Sequence, residues 1–237
     1  MSKKALLSLC LVVLLPIVSY LIVKSASDDA VVMPGHYFPD SIVNKVVDGK
    51  TVSDTIWHRL HNITLVNQLG DTVSLDDING SIIIANFIFT RCPSICPTLT
   101  KNMKELQDAM KMKDSRRRID SSFVRFISFT VDPKRDKPEV LKHYADKYAV
   151  NHDTWWFLTG EKEKIYDYAL TELKLGLQDG DGVDTNFIHT SKFVLIDRYR
   201  NVRGYYDGLD SASMSKLAED LTLLMLEKDK KKKRKFF

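Results

Sequence analysis

Apolar residues fill positions 5–23 (ALLSLCLVVLLPIVSYLIV) without a charge, with Lys3 and Lys4 before them and Lys24 after. At about 1.5 Å of rise per residue, a helix of this length matches the hydrocarbon thickness of a bilayer, so residues 1–24 are expected to form a single N-terminal transmembrane helix. Pro16 is tolerated in such a helix. A cleaved signal peptide is the competing reading, with Ser25-Ala26-Ser27 offering small residues at a cleavage point. Lipidation at Cys10 is a third reading, weakened by the bulky Leu9 before it. Anchor and cleaved signal both put the chain from residue 28 onward outside the cytoplasm, and Lys3 and Lys4 favour the same orientation.

The pattern then changes. Residues 25–54 are polar and mixed, with Pro34-Gly35 and Pro39-Asp40 as turn signals, and read as a stalk. A globular pattern occupies 55–226. Two short apolar runs at 62–66 and 72–75, separated by Gln68-Leu69-Gly70-Asp71, predict a β-hairpin. Residues 81–89 (SIIIANFIF) are nearly all apolar and β-branched, as in a strand buried on both faces. A helix is expected over 98–113, because Leu99, Met103, Leu106 and Met110 recur at helical spacing. A second buried strand covers 123–131 and ends at Asp132-Pro133. Then follow a helix from Lys137-Pro138, a short strand at 155–158, a helix over 161–173 and a mobile Gly/Asp-rich loop at 176–184. A hairpin (191–197 with 202–206) and an amphipathic helix (211–226) close the pattern. Strands alternating with helices of this length imply an α/β fold, a mixed sheet with helices on both faces.

Charge sharpens the division. The net +4 combines +3 from residues 1–27 and +5 from the tail 227–237, leaving −4 for the segment between. A mildly acidic domain argues against nucleic-acid binding. The lysines from Lys228 to Lys235 read as a solvated run, with anionic lipid or an acidic partner face as the functional alternative.

Three cysteines, Cys10, Cys92 and Cys96, are too few for a disulfide-stapled scaffold. Cys10 sits in the apolar segment and reads as a small apolar residue. Cys92 and Cys96 lie between a buried strand and a helix start, where open α/β sheets place their active sites. A separation of four puts both on one face if the segment is helical, and the positive end of the following helix favours thiolate. Such a pair can form a disulfide or grip a soft metal such as Cu(I) or Zn. A purely structural disulfide closing so short a loop would stabilise little. Copper held by two sulfurs needs a third donor, and His189, between the Gly/Asp loop and a strand, is one candidate imidazole.

Three segments together carry a resemblance: 87–97 (FIFTRCPSICP), 128–138 (SFTVDPKRDKP) and 188–208 (IHTSKFVLIDRYRNVRGYYDG). Over about residues 55–226 the chain resembles the Sco/SenC family of membrane-anchored, thioredoxin-like copper proteins of cytochrome c oxidase assembly. The resemblance implies a thioredoxin-like fold and copper, Cu(I) with Cu(II) as the second candidate state, bound by Cys92, Cys96 and His189. Many members carry an acidic residue just before that histidine, where this chain has Ile188. It implies a metallochaperone whose recipient is subunit II of cytochrome c oxidase or another copper-accepting protein. The rival function is a membrane-anchored thiol–disulfide oxidoreductase in which Cys92 and Cys96 are the catalytic pair. Its three-residue spacer differs from the two-residue spacer of thioredoxin-type motifs. A tethered interaction module with an incidental disulfide is the third reading.

Other residues were weighed. Asp132 is either a carboxylate beside the metal site or a turn-former before Pro133. His58 and His61 could form a metal pair, but the surroundings read as a loop rather than the helix such a pair needs. Met33 and His36 could capture copper from the stalk. Trp155 and Trp156 read as packing.

Overall fold

Six apolar residues and Asn86 make up Ile82–Ile88 (β5), the central strand, and every one of them is buried. In the computed structural model the described residues are 12, 14–23, 32–47, 50–111, 123–175 and 190–227. Val124–Thr130 (β6) and Trp155–Leu158 (β7) extend the sheet in parallel on one side of β5. On the other side Lys192–Ile196 (β8) and Val202–Asp207 (β9) run antiparallel, giving the order β7-β6-β5-β8-β9. This is the mixed sheet expected from the apolar runs.

Helices cover both faces. Ile95–Lys111 (α1), Pro138–Lys147 (α2) and Ser211–Leu226 (α4) contact β6, β7, and β5 with β9, respectively. Their buried faces present Leu99, Met103, Leu141, Leu217 and Leu221. The opposite face buries Ala85, Phe87, Ile127 and Phe129 against Leu60, Ile63, Ile165 and Tyr168. Leu60 and Ile63 lie just before the strand pair Thr64–Val66 (β3) and Thr72–Ser74 (β4), Ile165 in Lys162–Asp167 (α3), and Tyr168 directly after it. After α3 the backbone widens into a π-helical turn, Tyr168–Glu172, rather than continuing as the single α-helix expected over 161–173. The Leu173 N–H bonds back to the Tyr168 carbonyl, five residues away.

The stalk reading needs correction. Residues 1–33 and 34–237 are separate compact units, and 34–57 belong to the second. Pro39–Val47 (β1) and Lys50–Trp57 (β2) are an antiparallel hairpin, in register from Val47↔Lys50 to Ser41↔Ile56, with a register shift before Pro39↔Trp57. The sequence between the two strands is Asp48-Gly49, a pair that favours tight hairpin turns. The segment before the hairpin is tied down by buried polar contacts and by aromatic packing of Tyr37 and Phe38. Arg203, itself buried, donates to the Pro34 and Gly35 carbonyls at 2.7 and 3.0 Å and pairs with buried Asp197 at 3.1 Å. Tyr37 packs edge-on against Tyr205, and its N–H bonds to the Val202 carbonyl.

In the first unit, residues 14–23 are helical. Among the described residues no helix is long and apolar enough to cross a membrane. Most of the expected span, the Gly/Asp loop 176–184 and the basic tail lie outside the described residues.

Candidate metal centre

The C-terminal end of β5 runs into Phe89, Thr90 and Arg91, and the cysteines follow. The Cys92 N–H bonds to the Phe89 carbonyl at 3.2 Å, turning the chain back before α1 begins. That helix starts at Ile95, three residues before the expected position, so Cys96 lies within its first turn. There the Cys96 N–H is one of the donors with no partner inside the helix. It points at the Cys92 sulfur, 3.4 Å away. Ser94 Oγ stands 3.7 Å from the same sulfur. Both cysteines are free thiols and nearly buried, at 6% and 4% exposure.

The two thiols are electrostatically unequal. Burial works against a Cys92 thiolate, yet hydrogen bonds from the Cys96 and Ser94 backbone and side chains outweigh it and bring the group from 9.0 to about 7. Cys96 moves the other way, to about 12. Burial is the main cause, opposed by the Phe89 backbone and reinforced by the neighbouring Cys92 and by Asp136. At neutral pH the pair thus holds one partly formed thiolate beside one protonated thiol. It can donate two sulfurs to a soft cation or close a disulfide by two-electron oxidation.

The carboxylate that braces this loop is Asp136. It is 1% exposed and accepts from the Thr90 N–H at 3.1 Å and from the Thr90 and Thr130 hydroxyls, both at 2.5 Å. Asp132 sits four residues earlier in the same turn, where its carboxylate pairs with Arg135 at 3.1 Å. The sequence signal for Asp136 was the second acidic residue of Val-Asp-Pro-Lys-Arg-Asp, which alone does not say which carboxylate turns inward.

His189 lies outside the described residues; the chain resumes at Thr190, which is buried. The antiparallel register pairs Ile83 with Ile196 and Ala85 with Val194, so the start of β8 runs beside the end of β5. Helix α1 meets the same place. A Cβ added at Gly208 would lie 2.5 Å from Leu99 Cδ2 and 2.9 Å from the Ser191 carbonyl oxygen. Leu99 is three residues beyond Cys96, and Ser191 is two beyond His189. Asn102 of α1 also donates to the Gly208 carbonyl at 2.7 Å.

The remaining candidates separate. His36 stacks on Trp57 with ring centroids 5.0 Å apart. Trp155 is fully buried, and its indole N–H donates to Ser128, which donates to Asn86. His58 and His61 do converge, although no helix carries them: both rings face Glu172.

Comparison with known proteins agrees with this architecture. The SCO1/SenC family model matches residues 60–225. A SCO1 protein homolog of Bacillus subtilis is 36% identical over 174 residues, 73% of this chain and 86% of the relative. A SCO1/SenC family lipoprotein of Bacillus anthracis superposes with a TM-score of 0.60 at 31% identity, over 71% of this chain and 95% of that one. BsSco, a Sco family cytochrome c oxidase assembly protein with a disulfide switch, gives 0.59 at 34% identity, over 73% and 96%. Farther off, ScoI of Bradyrhizobium japonicum, solved with copper bound, shares the fold at 24% identity and TM-score 0.53, over 70% and 98%. With the matched span and the fold in agreement, the chain belongs to the SCO1/SenC family.

Proposed function

We propose that this protein is a copper-binding metallochaperone that loads, or prepares, the copper site of cytochrome c oxidase subunit II. The observation that carries the reading is the cysteine loop itself. Cys92 in the loop and Cys96 in the first turn of the helix that follows are both nearly buried, with Cys92 drawn toward thiolate at about pH 7. Two such sulfurs match the preference of Cu(I) for soft donors. His189 supplies the third donor. In support, it directly precedes Thr190, and β8 begins beside the end of β5, from which the cysteine loop departs. Copper is cargo, passed to the recipient by stepwise ligand exchange.

Residues 1–24 act as a membrane anchor holding the copper domain on the extracytoplasmic side, with a cleaved signal as the alternative. The uncharged run 5–23 and its flanking lysines support this placement.

The unequal thiols favour a second reading, thiol–disulfide exchange. The Cys92 thiolate would attack a partner disulfide and release one partner thiolate. Cys96 would then lose its proton, close the Cys92–Cys96 disulfide and release the second. Two electrons pass to the partner, whose cysteines are left reduced for metal loading.

His189→Ala separates the two roles. The variant is expected to lose copper retention in competition with a chelator while reducing a model disulfide at the parent rate. Unchanged copper retention in His189→Ala would remove His189 from the metal site.

A further inference from the structure

Away from the cysteine loop, three side chains from distant parts of the chain present donor atoms to one point. His58 Nε2 lies 3.2 Å from Glu172 Oε2, and His61 Nδ1 lies 3.0 Å from Glu172 Oε1. One ligand atom from each of the three residues falls within 4.8 Å of the other two. Donors about 2.0–2.2 Å from a tetrahedral metal lie about 3.3–3.6 Å from one another, so only a small adjustment is needed to surround an ion.

The backbone holds this arrangement from several sides. The His58 N–H bonds to the Phe38 carbonyl at 2.8 Å, and the His58 carbonyl accepts from Asn201 Nδ2 at 2.9 Å. Between the histidines, Leu60 is buried and its N–H bonds to the Arg200 carbonyl at 2.9 Å. The His61 carbonyl accepts from Tyr168 Oη, and the His61 N–H donates to Glu172 Oε2 at 2.8 Å. Glu172 ends the π-helical turn, a local widening of a kind that recurs at functional sites. Burial disfavours its charge, but the His61 N–H and the two imidazoles outweigh this and hold the carboxyl below its usual range.

The fourth residue is what distinguishes a metal site from a surface ion pair. Asp40 Oδ1 lies 3.2 Å from His58 Nδ1, the ring nitrogen turned away from Glu172. With Asp40 accepting a hydrogen bond from the outer Nδ1–H, an ion that displaces the Nε2 proton meets that nitrogen's lone pair at the cluster, as metal-bound histidines characteristically have it. His61 is 77% exposed, so an ion can enter and a fourth position stays open to water.

We propose that His58, His61 and Glu172 form a second metal site, oriented by Asp40, for a divalent ion of borderline softness, Zn(II) or Cu(II). Two imidazoles and one carboxylate are the donors of three-ligand zinc centres, and the same set suits Cu(II). It disfavours Cu(I), which the thiol pair takes instead, so the two sites are separated by ligand softness. The site does not depend on the function proposed for the cysteines.

The test uses the full-length chain carrying Cys92→Ser, Cys96→Ser and His189→Ala, which removes the donors proposed for copper. Zn(II) alone, then Cu(II) alone, is titrated against a competing chelator. One ion per chain is expected, together with a metal-dependent rise in Tm. His61→Ala removes an exposed side chain, and Glu172→Gln keeps an acceptor for the His61 N–H. In this background each should abolish both the stoichiometric binding and the metal-dependent rise. Asp40→Asn should weaken binding about 10- to 100-fold. Absence of stoichiometric binding of either ion, or binding unchanged in both His61→Ala and Glu172→Gln, would overturn the proposal.

Discussion

At the residue scale the decisive feature is the inequality of two cysteines four positions apart. Cys92 is drawn down to about 7 and Cys96 is pushed up to about 12. The thiolate is the reactive form, so alkylation of the reduced, metal-free chain should accelerate as pH rises through about 7. Mass mapping is expected to place the first label on Cys92, with Cys96 labelled only on unfolding. Equal labelling, or a midpoint near 9 for Cys92, would contradict this. The same shift has a consequence for stability. Between pH 9 and 7 the folded chain releases a proton that the unfolded chain keeps. Cys92 therefore favours folding above pH 9, and that contribution is lost as pH falls through about 7. The cysteine pair was legible in the sequence because strand, loop and helix are contiguous there. Asp136 was not, because its inward turn depends on hydrogen bonds to Thr90, 46 residues away. Nor was the His58–His61 pair, whose partner Glu172 is 111 residues beyond His61. The expectation that the two histidines share no helix was right; long-range packing joins them instead.

At the element scale the site depends on α1 lying close against the β8–β9 hairpin, and Gly208 permits that approach. A Cβ there would meet Leu99 at 2.5 Å, Phe193 at 2.9 Å and the Ser191 carbonyl at 2.9 Å. Leu99 could shift, but the Ser191 backbone cannot do so cheaply. Gly208→Ala is expected to destabilise the fold by about 1–3 kcal/mol, a fall in Tm of several degrees. It should also weaken copper retention, because it separates the helix bearing Cys96 from the strand that follows His189. A variant with unchanged Tm and copper retention would show that this close approach is unimportant. The main strands and helices were legible from periodicity because each buries a continuous apolar face. The β1–β2 hairpin was not, since it leaves Ile42 at 69% and Ile56 at 49% exposure and none of its described side chains is buried. What attaches the segment leading into it is a buried arginine on backbone carbonyls together with Tyr37 and Phe38 packed on Tyr205, an arrangement without a sequence period.

At the scale of the molecule, the chain sets a five-stranded mixed sheet between two layers, with the cysteine loop at the end of its central strand. The net charge of +4 gives no guide to this domain, because it comes from the two ends of the chain. The proposed function rests on two sulfurs and on the strand that begins beside the end of β5. The most direct test is a Cu(I) titration of the reduced full-length chain against a chromophoric chelator, repeated with Cys92→Ser and Cys96→Ser. One Cu(I) per chain is expected in the parent, with retention lost in each variant. A parent chain that binds no stoichiometric copper, or variants that hold it as tightly as the parent, would contradict the metallochaperone function.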